Sequence, residues 1–355
     1  MKAVVLAGPG KAQLVERPKP SAEPGEALLK VRRIGLCGSD LNSFRGRNPL
    51  VTFPRVPGHE AAATIVEIHG AHPTLRVGSN VTLSPYTNCG RCASCRRGRP
   101  NACESNQTLG VQRDGALAEY ITLPLEKLFP ALRDPMDPTS RELSLTELCL
   151  VEPLTVGAHA VARGRVSAGE TVVVLGCGGV GLGAIAAAAF RGAVTVAVDV
   201  DDTKLNIARK AGAAHTIHSQ RQPLPNALRD LTSGLGPDVI IEAVGMPDTF
   251  RAAVEQVAYT GRVVYIGYAK EPVCYETQLF VQKELDVLGS RNALPEDFRL
   301  VIAMLEAGKF PVADVISRTV PLEQAPEIFA AWSAEPAHFT KIVIDLDEPP
   351  YEKSR

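Results

Sequence analysis

A stretch of twenty uncharged residues between Glu170 and Arg191 constrains the fold more than any other part of the chain. It reads TVVVLGCGGVGLGAIAAAAF and is long enough to cross a lipid bilayer. Its five glycines, and the lack of a second such segment, favour a strand, a turn and a helix instead. The β-branched run from Thr171 to Leu175 predicts a buried strand, and the alanine-rich run from Val180 to Phe190 predicts a helix.

The turn between them carries a glycine pattern that is typical of dinucleotide binding. Residues Gly176 to Gly181 fit G-x-G-x-x-G, in which glycines let the backbone approach a pyrophosphate at a helix N-terminus. A second predicted strand ends at Asp199, eighteen residues after Gly181, where a carboxylate hydrogen-bonds the ribose hydroxyls of an adenosine. That carboxylate repels a 2′-phosphate, and Asp201 and Asp202 add to the repulsion. The sequence therefore favours NAD over NADP.

The alternation of strands and helices continues at intervals of about twenty-five residues. Further apolar strands are predicted near Thr216 and at 238–241, 262–266 and 286–288. Six such strands predict a doubly wound parallel α/β sheet. The alternative is an α/β fold whose glycine loop binds nothing. The cofactor-binding residues that we assign are Gly176, Gly178, Gly179, Val180, Gly181, Asp199, Lys204, Val244, Ile266 and Gly267.

Residues before about 155 have a different character. Short β-rich segments such as 27–34 and 61–68, separated by glycine and proline, predict a separate, mostly β domain. The chain ends in a strand-like run, 340–345, which we expect to pack on that first domain. The predicted domains are 1–154 together with 290–355, and a dinucleotide-binding domain at 155–289.

Charge and composition argue against several functional classes. The chain of 355 residues has 38 Lys plus Arg against 39 Asp plus Glu, which gives no reason to expect nucleic acid or an anionic membrane as a partner. Its first residues, MKAVVLAGPGKAQLVE, lack the apolar segment and cleavage site of a secretory signal. We therefore expect a cytoplasmic, reducing location, where disulfides rarely persist.

Four of the eight cysteines lie within residues 88–103, NCGRCASCRRGRPNAC. Gaps of two, two and seven residues between Cys89, Cys92, Cys95 and Cys103 let four thiolates converge, so a bound metal is favoured over disulfides. An iron–sulfur cluster is an alternative, but the spacing matches neither common ferredoxin pattern. The neighbouring arginines predict a solvated surface that offsets thiolate charge rather than a nucleic-acid-binding zinc ribbon.

Several motifs together resemble a known enzyme family. GLCGSD, PGHE, the four-cysteine segment, GALAEY, EPLTVGAHA and GCGGVG follow the order and approximate spacing of the zinc-containing medium-chain alcohol and polyol dehydrogenases, over nearly the whole chain. Glu60 after His59, and Glu152 where animal alcohol dehydrogenases have a cysteine, make the sorbitol-like branch the most similar. GSRNALPEDF, residues 289–298, further resembles bacterial members that oxidise sugar acids such as L-galactonate or L-idonate. The resemblance implies a GroES-like, mostly β catalytic domain and a six-stranded Rossmann domain.

The resemblance also implies a catalytic zinc ion held by Cys37, His59 and a glutamate, either Glu60 or Glu152. Thiolate, imidazole and carboxylate are zinc ligands, and a catalytic site keeps one position open. Which glutamate binds the ion directly is left open by the sequence. Cys149 is a weaker candidate, because it lies in the apolar run LCLV.

In the same family the four-cysteine segment holds a second, structural zinc ion. An all-thiolate tetrahedral site is closed and leaves no position for a substrate. In small zinc peptides such a site contributes about 10 to 16 kcal/mol to folding. We therefore expect two Zn²⁺ ions per chain, one catalytic and one structural.

The chemistry that the resemblance implies is oxidation of a secondary hydroxyl. Lewis-acidic zinc lowers the pKa of the hydroxyl, and hydride passes to C4 of the nicotinamide. The serine two residues after the cysteine ligand, here Ser39, accepts the proton in this family, and a histidine three residues further often completes the relay. This chain has Asn42 there, which cannot act as a base, so the proton must leave by the cofactor ribose and water or by another residue.

Substrate contacts are harder to assign. Arg291 and Asn292 follow the sixth predicted strand, where a guanidinium can pair with a sugar carboxylate. Arg113, in GVQRDG, is a second candidate. The expected substrate is a polyol or a sugar acid such as L-galactonate. Because relatives are dimers or tetramers, we expect a homodimer or homotetramer.

Two other functions stay open on the sequence alone. A zinc-free quinone or enone reductase of the same superfamily needs neither Cys37 nor His59. A non-enzymatic nucleotide- or nucleic-acid-binding protein would use the cysteine segment as a zinc ribbon. Metal content and turnover distinguish these alternatives from a zinc dehydrogenase.

Overall fold

The computed structural model describes residues 1–130 and 141–347. Its contacts divide the chain into two units, Met1–Glu152 with Val312–Arg355, and Pro153–Pro311. The return to the first unit comes later than the predicted position at 290, because the helix Pro295–Glu306 packs on the helix Gly179–Phe190 of the second unit. The first crossing lies at 152 rather than 154.

In the described residues the strands are β1 Lys2–Gly8, β2 Lys11–Glu16, β3 Glu26–Leu36, β4 Glu60–Ile68, β5 Asn80–Leu83, β6 Tyr120–Pro124, β7 Leu128–Pro130, β8 Thr171–Leu175, β9 Val194–Asp199, β10 His215–His218, β11 Val239–Glu242, β12 Arg262–Tyr265, β13 Asp286–Gly289, β14 Ile316–Pro321 and β15 Lys341–Asp345. The α-helices are α1 Gly38–Phe44, α2 Ala93–Arg96, α3 Leu145–Arg163, α4 Gly179–Phe190, α5 Asp202–Lys210, α6 Leu224–Leu231, α7 Pro247–Gln256, α8 Gln278–Gln282, α9 Pro295–Glu306, α10 Val312–Val315 and α11 Ala325–Ala334. Short 3₁₀ helices lie at Pro100–Ala102, Leu125–Lys127, Leu322–Gln324 and Pro336–His338.

The first unit is built on a mostly antiparallel sheet. Its strand order is β14-β15-β3-β4-β5-β7, with β6 also paired to β3 and a separate β1-β2 hairpin. The last strand, β15, pairs with β3 and places Ile344 opposite Ile34, so the end of the chain packs on the first domain as expected. Apolar side chains of both strands, such as Val31 of β3 and Ile342 of β15, are buried in one core.

The second unit contains a six-stranded parallel sheet in the order β10-β9-β8-β11-β12-β13. Its central strands are rich in valine and isoleucine and are buried, as expected where helices cover both faces of a parallel sheet. The doubly wound fold with six strands is therefore confirmed. The strand order reverses between β8 and β11, and the C-terminal ends of the strands share one edge, which is where such sheets bind dinucleotides.

The apolar stretch that could have crossed a membrane is not one helix. It forms β8, the glycine turn and α4, as the sequence predicts. Among the described residues one helix, α3, has the length and apolar composition to span a bilayer, and 72% of its apolar window is buried inside the fold. Buried core helices commonly have this composition.

Candidate metal centre and dinucleotide site

Two antiparallel strands and a short helix bring three potential zinc ligands together. Cys37 follows β3 as the N-cap of α1, while His59 and Glu60 stand where β4 begins. One ligand atom from each of these three residues lies within 4.8 Å of the others. Gly35 is opposite Glu60 in the register, and a Cβ at Gly35 would overlap the Glu60 carboxylate. The glycine therefore makes room for this side chain.

Asp40 holds the loops of two ligands together. Its Oδ2 accepts a hydrogen bond from the Cys37 backbone N–H at 2.9 Å, and its Oδ1 accepts one from the Gly58 N–H at 3.0 Å. Burial raises the pKa of Asp40, although the charge of His59 opposes the rise. The sequence alone leaves this role unassigned, even though Cys37 and Asp40 have the spacing of a capping box.

The three-residue group has a donor set that fits zinc. His59 is buried, and its Nδ1 has no hydrogen-bond partner in the described part of the chain. Burial disfavours the imidazolium, but Asp40 and Cys37 outweigh burial and raise the pKa of His59 well above its usual value. The site therefore favours positive charge next to a sulfur, an imidazole and a carboxylate, which are the ligand types of Zn²⁺.

Glu60 has a second partner, Lys341, which the sequence did not single out. Lys341 Nζ donates to the two carboxylate oxygens of Glu60 at 2.8 and 2.6 Å, and to the Leu36 carbonyl oxygen at 3.3 Å. Both charged side chains are buried, 7% and 1% exposed. Burial disfavours the ammonium, yet Glu60 and Cys37 raise the pKa of Lys341 above its usual value. The pair therefore places a buried cation beside Glu60 at the metal group.

Glu152, the other predicted glutamate ligand, lies on α3 and is buried. In the described residues it is not a member of the group that places Cys37, His59 and Glu60 within 4.8 Å. Its Oε1 accepts a short hydrogen bond from the hydroxyl of Tyr86, a residue that the sequence did not indicate. Burial raises the pKa of Glu152 to about 6, against the opposing charge of His59.

Some of the other polar residues that the sequence singled out can contact a ligand, and others belong to the core or the surface. Ser39 Oγ is buried and has no hydrogen-bond partner among the described residues, so it is available to a ligand. Asn42 is exposed further along α1. Cys149 is fully buried, its thiol donates to the Thr146 carbonyl oxygen, and burial raises its pKa to about 12. Cys149 therefore belongs to the core.

The four clustered cysteines also converge. A sulfur atom from each of Cys89, Cys92, Cys95 and Cys103 lies within 4.8 Å of the others. The Cys89 and Cys92 backbone N–H groups donate to the sulfurs of Cys103 and Cys89, each at 3.3 Å. The Ser94 hydroxyl, 3.0 Å from Cys92 Sγ, lowers the pKa of Cys92 to about 5. Burial raises the pKa of Cys95 to about 11 in the absence of a cation. Four sulfurs that converge on one point, two of them accepting backbone N–H groups, fit a tetrahedral zinc ion.

The glycine turn between β8 and α4 has the shape that a dinucleotide site needs. Gly176 has φ +96°, a conformation that favours glycine, and a Cβ at Gly181 would overlap the Gly176 carbonyl oxygen. A Cβ at Gly178 or Gly179 would meet nothing within 4 Å, so these glycines face open space. The first backbone N–H groups of α4, including that of Val180, have no intrahelical partner and can bind an anion there.

Asp199 ends β9 beside this turn. Its Oδ2 accepts a hydrogen bond from the Cys177 N–H at 2.7 Å. Asp201 caps the N-terminus of α5, and Asp202 forms an ion pair with both terminal nitrogens of Arg221, at 3.0 and 2.7 Å. Asp199 Oδ1 likewise accepts from the Val200 and Asp201 N–H groups, at 2.7 and 3.2 Å. Because Arg221 offsets the charge of Asp202, the predicted repulsion of a 2′-phosphate depends mainly on Asp199 and Asp201.

Glu242 organises the ends of β11 and β12. It is buried, and its Oε1 accepts hydrogen bonds from the Val244 and Gly245 N–H groups at 2.8 and 2.7 Å. The Ile266 and Gly267 N–H groups donate to its carbonyl oxygen at 2.9 and 3.2 Å. Three predicted cofactor residues are thus gathered at the C-terminal edge of the sheet by an acidic residue that ends an apolar strand.

The remaining predicted residues are spread more widely. Lys204 lies in the first turn of α5, where its N–H donates to Asp201 at 3.2 Å. Arg291 and Asn292 directly follow β13 in the second unit, and Asn292 has φ +53°. Arg113 is in the first unit, but it lines a cavity to which none of the predicted zinc ligands contributes.

Comparison with known proteins agrees with this arrangement. Residues 23–133 match the family described as alcohol dehydrogenase GroES-like domain, and residues 179–307 match zinc-binding dehydrogenase. An uncharacterized zinc-type alcohol dehydrogenase-like protein of Haemophilus influenzae is 33% identical, over 96% of this chain and 98% of that protein. L-galactonate-5-dehydrogenase of Escherichia coli is 30% identical (93% and 94% covered), and sorbitol dehydrogenase of Bacillus subtilis is 32% identical (89% and 90% covered).

Solved structures give the same result. RspB from Escherichia coli CFT073 in complex with NADH has a TM-score of 0.87 and 27% identity, over 98% of this chain and 99% of that one. A zinc-binding dehydrogenase from Sinorhizobium meliloti 1021 bound to NADP has a TM-score of 0.86 and 28% identity, over 97% and 98% of the two chains. The chain belongs to the zinc-type medium-chain alcohol dehydrogenase family, as its motifs predict.

Proposed function

We propose that the protein is an NAD-dependent zinc dehydrogenase that oxidises a secondary hydroxyl of a polyol or sugar acid in the cytoplasm. The observation that carries the proposal is the convergence of Cys37, His59 and Glu60 on one point, in a chain that also carries a dinucleotide-binding turn. A zinc-free reductase has no use for this buried donor set.

The ligand residues have distinct tasks in this proposal. Cys37, His59 and Glu60 hold a catalytic zinc ion, whose Lewis acidity lowers the pKa of a hydroxyl. Ser39 Oγ, buried without a partner among the described residues, would accept the hydroxyl proton while passing its own proton to the cofactor ribose and water, because Asn42 cannot act as a base. Asp40 fixes the backbone of Cys37 and of the residue before His59, so the ligands keep their positions during turnover.

Two further contacts support the same site. Lys341 donates to both carboxylate oxygens of Glu60 and so fixes their positions. Tyr86 orients Glu152, which places a second buried carboxylate close to His59. The four-cysteine group holds a structural zinc ion, so the proposed content is two zinc ions per chain.

NAD is the proposed cofactor. Asp199 lies beside the glycine turn, where its carboxylate can accept hydrogen bonds from ribose hydroxyls and repel a 2′-phosphate. Arg221, a guanidinium that would otherwise attract that phosphate, is paired with Asp202. One similar structure is bound to NADH and another to NADP, so the cofactor preference is tested by measuring kcat/KM of this protein with NAD and with NADP. We expect kcat/KM to favour NAD, and Asp199→Asn to reduce that preference at least about tenfold.

The substrate class follows from similarity to L-galactonate-5-dehydrogenase and sorbitol dehydrogenase. Arg291 and Asn292 are the proposed substrate contacts, with the guanidinium as partner for a sugar carboxylate. Loss of the guanidinium in Arg291→Gln should raise KM for an aldonate more than KM for a neutral polyol. An equal increase in KM for the aldonate and for the polyol would show that Arg291 does not bind the carboxylate.

A homodimer, alone or within a tetramer, is proposed from the exposed edge of the second unit. β13 pairs on one side with β12, and in the described residues no strand pairs with its other side. Val287 on this strand is 43% exposed, and Val281 on α8 is 82% exposed. A second copy of β13 would satisfy the free backbone groups and cover these side chains. Light scattering should give a dimer or tetramer, and Val287→Lys should produce a smaller species.

Activity is tested with a panel of polyols, aldonates and simple alcohols, followed by NADH absorbance. We expect turnover with a polyol or aldonate and its loss in Cys37→Ser. The matched control is Cys274→Ser, which alters an exposed cysteine outside both metal groups and should leave turnover unchanged. No turnover with any member of the panel would refute the substrate class.

A further inference from the structure

A cavity in the first unit, lined in part by Arg113, has no role in the dehydrogenase proposal. Its volume is about 400 Å³, and its walls come from the segment after β2 and from residues 109–122. Pro18, Leu109 and Tyr120 supply apolar surface, while Arg113 supplies a guanidinium. None of the predicted zinc ligands or dinucleotide-binding residues lines it.

Arg113 is the unusual group in this cavity. It is partly buried, and its Nε is buried without a hydrogen-bond partner among the described residues. Burial lowers the pKa of Arg113 below its usual value, although the charge of Glu26 opposes the shift. Two other partly buried arginines of this unit have partners: Arg33 pairs with Asp345 at 2.5 Å, and Arg45 donates to Ser333. A partly buried cation without a partner is unfavourable until an anion binds.

The carboxylate on the cavity wall, that of Asp114, already has hydrogen-bond partners. Asp114 accepts from Arg17 at 2.8 Å, from Arg55 at 3.3 Å and from the Val56 N–H at 3.1 Å. Two guanidinium groups share this one carboxylate, so it does not neutralise Arg113. The cavity wall therefore carries an excess of positive charge.

The ring of the lining residue Tyr120 also contacts a cation that is not itself part of the wall. Lys19 Nζ lies 4.4 Å from the centre of this ring. The ring attracts the ammonium without cancelling its charge. Arg113 therefore remains the guanidinium of the wall that an anion in the cavity would pair with.

We propose that this cavity binds a small organic carboxylate, with the Arg113 guanidinium as its anchor. A planar carboxylate matches the fork of N–H donors that a guanidinium presents. The proline, leucine and tyrosine surfaces accommodate the apolar part of such a ligand, as in most small-molecule sites. The cavity is large enough for a ring of benzoate size.

The test uses benzoate as the probe and the zinc-loaded full chain. Binding is also measured in Cys37→Ser, which disrupts the proposed catalytic zinc site and leaves the cavity intact, so failure here is distinguishable from failure of the dehydrogenase proposal. Binding is measured by isothermal titration calorimetry at constant ionic strength, with chloride as the balancing anion. The variants are Arg113→Gln and the matched control Arg47→Gln, which removes an exposed arginine of the same unit.

We expect saturable binding to the unsubstituted chain and to Arg47→Gln, with affinity at least about tenfold lower in Arg113→Gln. Without ligand, Arg113→Gln should melt at the same temperature or higher, because it removes a partly buried unpaired charge; this also verifies that the variant folds. Absence of saturable binding, or equal affinity in Arg113→Gln, would overturn the proposal. Inorganic phosphate is the second probe: saturation by phosphate and not by benzoate would overturn the assignment to carboxylates.

Discussion

Lys341 and Glu60 form a buried ion pair in which one ammonium group donates to both carboxylate oxygens, at 2.8 and 2.6 Å. Lys341 is the first residue of β15, the last strand of the first unit, and Glu60 is the first residue of β4. The pair therefore ties the C-terminal strand to the residue that completes the metal group. Glu60 has both a buried cation beside it and a place in the group of Cys37, His59 and Glu60 that we propose to hold zinc.

Replacement of Lys341 by methionine should be strongly destabilising in metal-free protein. The change leaves the Glu60 carboxylate buried without its partner, which typically costs about 3–5 kcal/mol. With zinc bound, the metal compensates part of the lost charge, so the decrease in the free energy of unfolding should be smaller. Urea unfolding with and without zinc measures both values. A similar loss in the two states would mean that Glu60 does not bind the metal.

Replacement of Asp40 by asparagine should weaken the metal centre. The amide accepts only one of the two backbone hydrogen bonds that Asp40 accepts, which costs about 1.5–3 kcal/mol. Zinc affinity should fall about 10- to 100-fold, as for other groups that orient metal ligands. Competition with a chromogenic chelator measures the affinity. Asp230→Asn, an exposed change on α6, serves as the control, and an equal affinity in both variants would contradict the role of Asp40.

Replacement of Cys103 by serine should remove the structural zinc alone. Cys103 is fully buried, and its sulfur belongs to the four-cysteine group. The zinc content should fall from two to one per chain, and the melting temperature should fall by roughly 10 °C, equivalent to about 3 kcal/mol. Plasma emission spectrometry and calorimetry check these outcomes. An unchanged zinc content in Cys103→Ser would show that this group holds no zinc.

Two glycine substitutions separate folding from cofactor binding. Gly181→Ala places a methyl group on the Gly176 carbonyl oxygen, so we expect a stability loss of about 1–3 kcal/mol as well as weak NADH binding. Gly178→Ala adds a methyl group in open space, so stability should change by less than about 0.5 kcal/mol. That methyl group occupies the space proposed for the pyrophosphate, and NADH fluorescence should report at least about tenfold weaker binding. Tight binding by Gly178→Ala would place the pyrophosphate elsewhere.

The sequence predicts those features that depend on short segments. The six-stranded parallel sheet of the second unit follows from the alternation of strands and helices, and the glycine turn is where its spacing predicts it. Cys37 and His59 converge because each stands next to a β-strand, and these two strands pair. In these cases, the residues of short segments and a known topology were sufficient to predict the structure.

The partners of the buried glutamates could not be predicted in the same way. Lys341 is 281 positions from Glu60, and Tyr86 is 66 positions from Glu152. A lysine in a C-terminal strand carries no local signal that it will be buried against a carboxylate. The later domain boundary also depends on a distant contact, that of α9 with α4. Long-range pairing of side chains is visible only in the folded chain.

The most direct test of the central claim is hydride transfer to NAD in metal-free and zinc-reconstituted enzyme, with the best polyol or aldonate substrate. We expect chelation to abolish NADH formation and added Zn²⁺ to restore it, with no restoration in Cys37→Ser and full restoration in Cys274→Ser. NADH formation that continues at the same rate after removal of the metal would rule out a catalytic zinc ion.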